Sequence, residues 1–586
     1  MHSPRHLSLA AFVSVASLAA LAGPSIAGPT DDTTPVPAAN TKAPGMNRPN
    51  VLTRRLIGRR VEQVIAAQGS MACENPGPAA GSRTTSHYGY LSDGTTTMMP
   101  TPGAATVVEG MKTEPDKNTY LVLKGQHGPD ATYDYGTHFV YQGHEIGASG
   151  YITRVNLDAD VAHRVTVLAS TDATGAFLPV FDGSTWYPFS KVLLFTAELG
   201  GSGGVWQATP DWPSTSKDIS GALGRGGYEG IQADDLGNLY IVEDVGGSSG
   251  SAANNLNLAK QPNSFVYRFI PKNTGDLTVG GRLQVLQVQS KAHAGAIVFG
   301  GTTTAQIEAD ITSQDQTDLH TYGNTFACAW VTIHDTDVDG NVPFSANAAA
   351  KAKGGTPFKR PENGVFRPGT GFREFFFTAT GDTNAGTQVG AAKGGFGGLF
   401  KLTRKRGTDG WSLSLFYRGD VAHTGLDNVC FLTKDLVLSG EDAGDTLHTQ
   451  RNGLDSLWMF DANADYGSAA PPAPVRVLAE GRDASATTDS AIGALPSASR
   501  PGFANDGDNE ITGIHVSDGD PSVRGLFGAR SPRPFRDGWR VFWSQQHGDN
   551  VLWEIIERCD DESSCDSDRD GKGRDRDEDR DERDCR

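Results

Sequence analysis

The feature that most constrains the fold is a strand–turn–strand pattern that recurs along the chain. In its clearest copy an apolar run follows Glu229, a polar turn occupies residues 234–238, and a second apolar run ends at Glu243-Asp244. Turns rich in Gly, Asn and Asp connect antiparallel strands because these residues tolerate positive φ. The segment therefore predicts a β-hairpin that begins and ends at carboxylates.

The same pattern returns with the same spacing between its carboxylates. Asp427 precedes Glu441 by 14 residues, as Glu229 precedes Glu243, and looser copies begin at Arg360 and at Glu510. Repeated strand pairs that stack on their neighbours are typical of β-propellers. The copies are unevenly spaced, so we predict an all-β fold, a β-propeller with irregular, decorated blades and long inter-blade insertions.

Composition supports strands and turns and excludes one class of partner. The 586 residues include 72 Gly and 31 Pro, and no long amphipathic helical pattern follows the first residues. The formal net charge is −18. A chain with no basic surface to neutralise phosphates along a duplex is not expected to bind nucleic acid.

The two ends of the chain carry segments that differ from the predicted propeller. Residues 1–27 have the basic start, apolar run and small residues of a secretory signal peptide, and no later stretch is long enough to span a membrane. We expect a periplasmic or extracellular protein with an extended linker at 28–84, including one helical turn near Val61–Ala67. The propeller is then expected at 85–557, and a disordered Asp/Arg-rich tail at 558–586.

Several carboxylates lie where an apolar strand ends. They include Glu145, Glu198, Glu243-Asp244 and Glu441-Asp442. Strand ends near the propeller axis meet at one mouth of the central channel, where clustered anions repel unless they are protonated or share cations. Oxygen ligands favour calcium, magnesium or trivalent iron over zinc or copper. The alternative at each position is a solvated turn residue.

Short motifs in matching order resemble the PhoX-type secreted alkaline phosphatases, a β-propeller family, over about residues 85–556. They are Gly143-His144-Glu145, Phe358-Lys359-Arg360-Pro361-Glu362, Asp427-Asn428, Glu510-Ile511-Thr512-Gly513 and Gln545-Gln546-His547-Gly548. The resemblance implies phosphate-ester hydrolysis with iron and calcium held in the propeller mouth. It carries a phosphate-contacting role to Arg360 and a metal-binding role to Glu362, which are the expected catalytic residues.

The remaining site residues follow from the repeats and the resemblance together. The expected metal ligands are Glu145, Glu198, Glu229, Glu362, Asp427, Glu441, Asp442 and Glu510, and the expected substrate contacts are Arg360, Asn428 and His547. The family has a cysteine iron ligand beside the residue that aligns with Glu198, and here that position is Ala197. Calcium is therefore the expected cofactor, and the iron centre is in doubt. For Arg360 the alternative is a salt bridge to Glu362 or to another blade carboxylate.

Three functions fit these observations. The first is a secreted, metal-dependent phosphoester hydrolase that acts on a small phosphate ester, most simply as a monomer. The second is a phytase-like or lactonase-like propeller that hydrolyses with calcium. The third is a non-catalytic binding propeller with structural calcium. Fold analogy does not separate them, because propellers carry unrelated functions, so convergence of the carboxylates and Arg360 is the discriminating feature.

Overall fold

The computed structural model describes most of the chain between residues 61 and 557, together with two short strands before it. The described ranges are 33–36, 55–58, 61–69, 71–79, 81–92, 111–146, 149–408, 410–442, 447, 450, 455–479, 510–546 and 550–557. The signal peptide and the tail that the sequence predicts lie outside these residues, as does His547.

Three strands and one small sheet precede the main repeat. The strands are β1 (Thr33–Val36), β2 (Arg55–Gly58) and β3 (Val61–Ala67), and the sheet consists of β4 (Pro78–Ala79), β5 (Arg83–His87), β6 (Tyr90–Ser92) and β7 (Met111–Lys112).

Six antiparallel blades follow among the residues that the structure describes. Blade 1 contains β8 (Glu114–Val122), β9 (His138–Ile146), β10 (Ser149–Asn156) and β11 (Val165–Ala169). Blade 2 contains β12 (Ser184–Tyr187), β13 (Val192–Ala197), β14 (Gly204–Ala208) and β15 (Ser216–Asp218). Blade 3 contains β16 (Tyr228–Ala233), β17 (Leu239–Glu243), β18 (Val266–Pro271) and β19 (Gly281–Val288). A long strand, β20 (Thr325–Asp335), extends blade 3.

The second half repeats this arrangement. Blade 4 contains β21 (Gly364–Phe366), β22 (Glu374–Ala379), β23 (Gly398–Arg404) and β24 (Trp411–Arg418). Blade 5 contains β25 (Leu426–Thr433), β26 (Leu436–Glu441), β27 (Ser456–Asp461) and β28 (Val475–Ala479), extended outward by β2 and β1. Blade 6 contains β29 (Glu510–Ser517), β30 (Arg540–Gln546) and β31 (Leu552–Glu557), with β3 as its outer strand.

The first strands of the six blades form a closed ring around one axis. They pack in the order β8, β12, β16, β21, β25 and β29, and β29 returns to β8. Hydrogen bonds connect neighbouring blades at this ring, including Lys117 N to Asp182 O (3.2 Å) and Gly230 N to Glu362 O (2.8 Å). The expected β-propeller is therefore confirmed, and it has six blades within the described ranges.

The hydrophobic core lies between facing blades. Alternate residues of a strand point to opposite faces of the sheet, so each blade presents apolar side chains to both neighbours. Between blades 4 and 5, for example, the rings of Phe376 and Phe431 meet edge to face at 5.3 Å between centroids. Burial of such aromatic side chains between stacked sheets is the main favourable term in the stability of the ring.

Helices are short and lie in the connections. They are α1 (Ser220–Leu223), α2 (Thr304–Thr312), α3 (Gln314–Leu319) and α4 (Ala346–Ala352). β20 pairs with both β19 and β24, so it joins blades 3 and 4 at their outer edges. Across the described ranges, no helix has the length and apolar character needed to cross a lipid bilayer.

The structure corrects one expectation about the N-terminal region. The helical turn expected near Val61–Ala67 is wrong, because these residues form β3 and pair antiparallel with β31. Val61 and Ala67 are buried in this sheet. An N-terminal strand thus completes the C-terminal blade, which joins the two ends of the propeller sequence through backbone hydrogen bonds.

Candidate metal centre

Three inner strands carry a β-bulge at the position of a carboxylate. The pairing register shifts between Pro115 and Asn118 in β8, between Tyr228 and Ile231 in β16, and between Leu426 and Val429 in β25. These shifts enclose Asp116, Glu229 and Asp427 respectively. A bulge inserts an extra residue and re-aims its side chain, which is how a sheet can direct a carboxylate towards the propeller axis.

Two further carboxylates come from the residues just before an inner strand. Asp182 precedes β12 and Glu362 precedes β21, and both are buried. The glycine that follows Asp182 permits close packing: a Cβ at Gly183 would lie 2.1 Å from the carbonyl oxygen of Glu229. Five inner-strand carboxylates, Asp116, Asp182, Glu229, Glu362 and Asp427, therefore surround the axis.

Two more carboxylates, Glu198 and Asp244, come from the ends of second strands. Glu198 follows β13 and Asp244 follows β17. The carboxylates form three overlapping groups of three. In each group, one oxygen from every carboxylate lies within 4.8 Å of an oxygen from each of the other two. The groups are Asp116, Asp182 and Glu229; Glu198, Glu229 and Asp244; and Glu229, Glu362 and Asp427. Glu229 belongs to all three, so it lies at the centre of the cluster.

Burial and mutual repulsion change the acidity of this cluster. Burial, followed by the charge of Asp116, raises the pKa of Asp182 well above its usual value. Burial raises the pKa of Glu229, Glu362 and Asp427 in the same direction, with neighbouring carboxylates adding to it. Burial and the charge of Asp244 raise the pKa of Glu198 to about 9. Without a cation, these shifts favour the protonated form of the carboxyl groups.

The donor set fits hard cations. All seven residues of the three groups offer carboxylate oxygens, the ligands that calcium and magnesium prefer. Oδ1 of Asp182 and Oδ1 of Asp244 are buried and have no hydrogen-bond partner among the described residues. A buried anionic oxygen without a partner is costly, and a bound cation would remove that cost.

The residue beside Glu198 does not offer a soft ligand. Ala197 is fully buried at the end of β13, where the resemblance leads one to expect a cysteine. The three described cysteines, Cys73, Cys328 and Cys430, are buried free thiols. Burial raises the pKa of Cys430 to about 11, so its thiol stays protonated at neutral pH. The described part of the centre therefore fits an all-oxygen site.

Arg360 lies on the more open side of the cluster. Its Nε and Nη2 lie 2.7 and 2.6 Å from Oδ2 of Asp244, and Nη2 lies 3.2 Å from Oε1 of Glu362. Its side chain is 27% exposed, against 2% for Asp244. Its φ of 53° lies in the left-handed region, which is uncommon for residues with a side chain. The salt-bridge alternative for Arg360 is thus observed in this structure.

A buried lysine is connected to the carboxylates through side-chain amides. Lys117 Nζ donates a hydrogen bond to Oδ1 of Asn363 (2.8 Å), and Nδ2 of Asn363 donates to Oδ1 of Asp427 (3.4 Å). Asn428 Nδ2 donates to Asp427 (2.9 Å) and lies 3.5 Å from Asp116. Burial lowers the pKa of Lys117, while Asp116, Asp427 and Asp182 oppose that change.

The structure brings together most of the site residues expected from sequence. Glu198, Glu229, Glu362 and Asp427 belong to the three groups, and Arg360 and Asn428 contact them. Glu145 is also near: after burial and nearer carboxylates, its charge contributes to the raised pKa of Asp182 and Glu198. Asp442 contributes in the same way to the raised pKa of Asp427, after burial and Asp116.

Glu441 and Glu510 are placed differently. Glu441 accepts hydrogen bonds from the backbone N–H groups of Thr424 (3.2 Å) and Ser456 (3.0 Å), so it fixes the start of the next strand. Glu441 therefore contacts the backbone of two neighbouring segments, and its expected role as a metal ligand stays a prediction. Glu510 is buried at the start of β29 and belongs to none of the three groups.

Sequence reasoning did not predict Asp116, Asp182 or Lys117 as site residues, and it did not predict Asp244 as a metal ligand. Asp182-Gly183 repeats the carboxylate–glycine pair of Glu229-Gly230, so comparison of inner-strand starts could have found it. Asp244 was recognised only as a strand-end carboxylate. Asp116 and Lys117 lie in a polar run that shows no apolar strand pattern, and only the bulge explains their position.

Comparisons with known proteins agree with this placement. Residues 222–433 match the family described as alkaline phosphatase PhoX, and this segment contains Glu229, Asp244, Arg360, Glu362 and Asp427. No curated protein matches the chain.

Solved structures with similar chain traces are remote in sequence. PhoX of Pseudomonas fluorescens in complex with vanadate, a transition state analogue, has 10% identity and a TM-score of 0.48, with 87% of this chain and 97% of that chain covered. A putative 6-phosphogluconolactonase from Bacteroides uniformis has 11% identity and a TM-score of 0.32, with 86% and 93% covered. TolB from Acinetobacter baumannii has 8% identity and a TM-score of 0.25, with 75% and 63% covered.

The family match spans somewhat more than a third of the chain, and it lies on blades 3 and 4, the start of blade 5 and their connections. The resemblance inferred from the short motifs is confirmed by it. Over residues 222–433 the chain is thus similar to the family described as alkaline phosphatase PhoX.

Proposed function

We propose that the chain is a secreted, metal-dependent phosphoester hydrolase of the alkaline phosphatase type, with its active site at the carboxylate mouth of the propeller. The observation that carries the proposal is the sharing of Glu229 by three carboxylate groups within 4.8 Å, with Arg360 beside them. The family match over these residues supports the same reaction class.

Calcium is the proposed resident ion, held by Asp116, Asp182, Glu198, Glu229, Asp244, Glu362 and Asp427. When bound, such an ion polarises a phosphoryl oxygen and lowers the pKa of a water molecule. The residues of the chain supply the rest. The carboxylates fix the positions of positive charge, and Arg360 offers a planar guanidinium whose N–H groups match the oxygens of a phosphate.

Arg360 also gives the site a resting state. In this structure its guanidinium is held by Asp244 and Glu362. A cation bound to these two carboxylates would compete for their oxygens, which weakens their hold on the guanidinium. Arg360 is then available to a phosphate on the open side, where its side chain is partly exposed.

The test is hydrolysis of p-nitrophenyl phosphate by the mature chain purified with calcium, alongside analysis of its bound metals. We expect bound calcium and turnover that a chelator abolishes and added calcium restores. Glu362→Gln should lose turnover, whereas Glu374→Gln, at the far end of blade 4, should retain it. Calcium without turnover would instead support the binding propeller. Turnover that persists in Glu362→Gln after chelation would contradict the proposal.

A further inference from the structure

A second charged site lies at the end of blade 4 that is remote from the carboxylates. β21 runs away from Glu362 and β22 returns to the mouth near Thr380, so the turn between them, residues 367–373, is at the opposite face. A second turn begins directly after β23, at residues 405–408, and lies at the same face. These two turns border an open surface cavity with a volume of 360 Å³.

The lining of this cavity is basic. Arg373 comes from the first turn, and Arg404, Lys405 and Arg406 come from the end of β23 and the second turn. No acidic side chain lines it among the described residues, and Asp409, which follows Thr408 in the sequence, lies outside those residues. The whole chain carries a net charge of −18, so four cations around one cavity depart strongly from the average surface.

Hydrogen bonds fix the main chain that carries these cations. Arg404 N donates to Arg373 O (2.7 Å), which places the two arginines on adjacent strands. Lys405 N donates to Gly410 O (2.8 Å) and Gly410 N to Thr408 Oγ1 (3.1 Å), so the second turn is closed by its own hydrogen bonds. Like charges held close together repel one another, and an anion in the cavity would relieve that repulsion.

We propose that this cavity, which we call the far-face site, binds a compact soluble polyanion carrying sulfate or phosphate groups. Guanidinium groups bind such oxyanions through paired N–H donors. The volume lies within the range of small-molecule sites, about 300–1,000 Å³. The four cations lie on two neighbouring turns, so a compact ligand can contact all of them at once. The site is separate from the mouth, so its ligand does not compete with a substrate there.

Titration calorimetry with myo-inositol hexasulfate tests the proposal, because this probe carries many charges and is not a phosphate ester. The mature chain should bind one equivalent, more weakly as salt is added. Lys405→Gln/Arg406→Gln should weaken binding by about tenfold or more, since two of the cations are removed. Arg373→Gln should weaken it as well, and the unfolding temperature should not change.

The matched control is Lys124→Gln/Lys353→Gln, which removes the same charge from exposed positions elsewhere. This variant should bind like the parent chain. If binding were weakened equally in both double variants, the effect would depend only on overall charge, and this result would overturn the proposal. Loss of binding in Arg360→Gln would show that the probe binds at the mouth, and this result would also overturn the proposal. Absence of binding at low salt, or binding only to phosphatidylglycerol vesicles, would refute a compact soluble ligand.

Discussion

The ammonium group of Lys117 donates a 2.8 Å hydrogen bond to the side-chain oxygen of Asn363, across the propeller axis. Lys117 is on the inner strand of blade 1, and Asn363 immediately precedes the inner strand of blade 4, the opposite blade of six. The side chain therefore spans the channel and brings its amino group close to Asp116 and Asp427, whose charges oppose the lowering of its pKa by burial.

Lys117→Met should destabilise the chelator-treated protein by about 3 kcal/mol, because it leaves neighbouring buried charges without compensation. Calcium should reduce this loss, since a bound cation supplies charge to the same carboxylates. Urea unfolding with chelator and with calcium measures both values. Lys124→Met, at an exposed position shortly after the same strand, serves as the control and should have little effect. An equal loss with and without calcium would contradict the electrostatic role.

Substitution by Gln should reduce calcium binding and turnover at Glu229, but should reduce only stability at Glu441. Glu229→Gln removes a carboxylate common to all three groups, so it should lower the bound calcium and reduce kcat by about 100-fold. Glu441→Gln turns an amide N–H₂ towards backbone N–H donors. It should cost about 1–3 kcal/mol of stability with no change in bound calcium.

Metal analysis and urea unfolding of the two variants separate these outcomes. The sequence alone predicts a metal ligand at both residues, because both are carboxylates of the repeated hairpin pattern. If Glu441→Gln lost calcium at unchanged stability, the backbone role assigned to Glu441 would be wrong.

The general fold was predictable because propeller blades leave a local sequence signal. Hairpin turns rich in Gly, Asn and Asp and the return of the pattern at Asp427 identified repeated strand pairs. The helical turn expected at Val61–Ala67 was wrong because the alternative partner, β31, is almost the whole chain away. Pairing between distant strands leaves no trace in a local window.

The site was predictable only in part, for a similar reason. Glu229 and Glu243 lie 14 residues apart in the repeat, but their side chains have different surroundings. Glu229 lies in a bulge and faces the axis, whereas Glu243 accepts hydrogen bonds from Phe265 N (3.3 Å) and the Tyr267 hydroxyl (2.9 Å). The residue that belongs to one of the three carboxylate groups is the next one, Asp244. Successive side chains of a strand point to opposite faces of the sheet, so the position along the strand decides which carboxylate faces the mouth. A bulge shifts this alternation, and no pattern in the sequence reveals the bulge.

The stability of the metal-free protein should fall as pH rises from 4.5 to about 9. Glu198 has its pKa raised from 4.5 to about 9, chiefly by burial and then by Asp244. Between these values the folded state holds a proton that the unfolded state has released, so increasing pH favours unfolding. The raised pKa values of Asp182, Glu229, Glu362 and Asp427 act in the same direction.

Unfolding free energies with chelator, at pH values across that window, measure the slope. Calcium should flatten it, because coordinated carboxylates are already deprotonated, and calcium binding at neutral pH should release protons. Glu198→Gln should reduce both the slope and the proton release. Calcium binding that releases no protons would show that these carboxylates are ionised in the metal-free chain.

Arg360→Lys should separate charge from geometry at the mouth. Lysine keeps the positive charge near Asp244 and Glu362, but it lacks the planar pair of donors that fits a phosphate. We expect kcat/KM for p-nitrophenyl phosphate to fall by about 10- to 100-fold, in line with the loss of a positioned donor to the transition state. Bound calcium should not change. Arg367→Lys is the control, because that arginine pairs with Glu374 on the opposite face of the same blade, and it should leave turnover intact. Unchanged kcat/KM in Arg360→Lys would limit Arg360 to its salt bridges with Asp244 and Glu362.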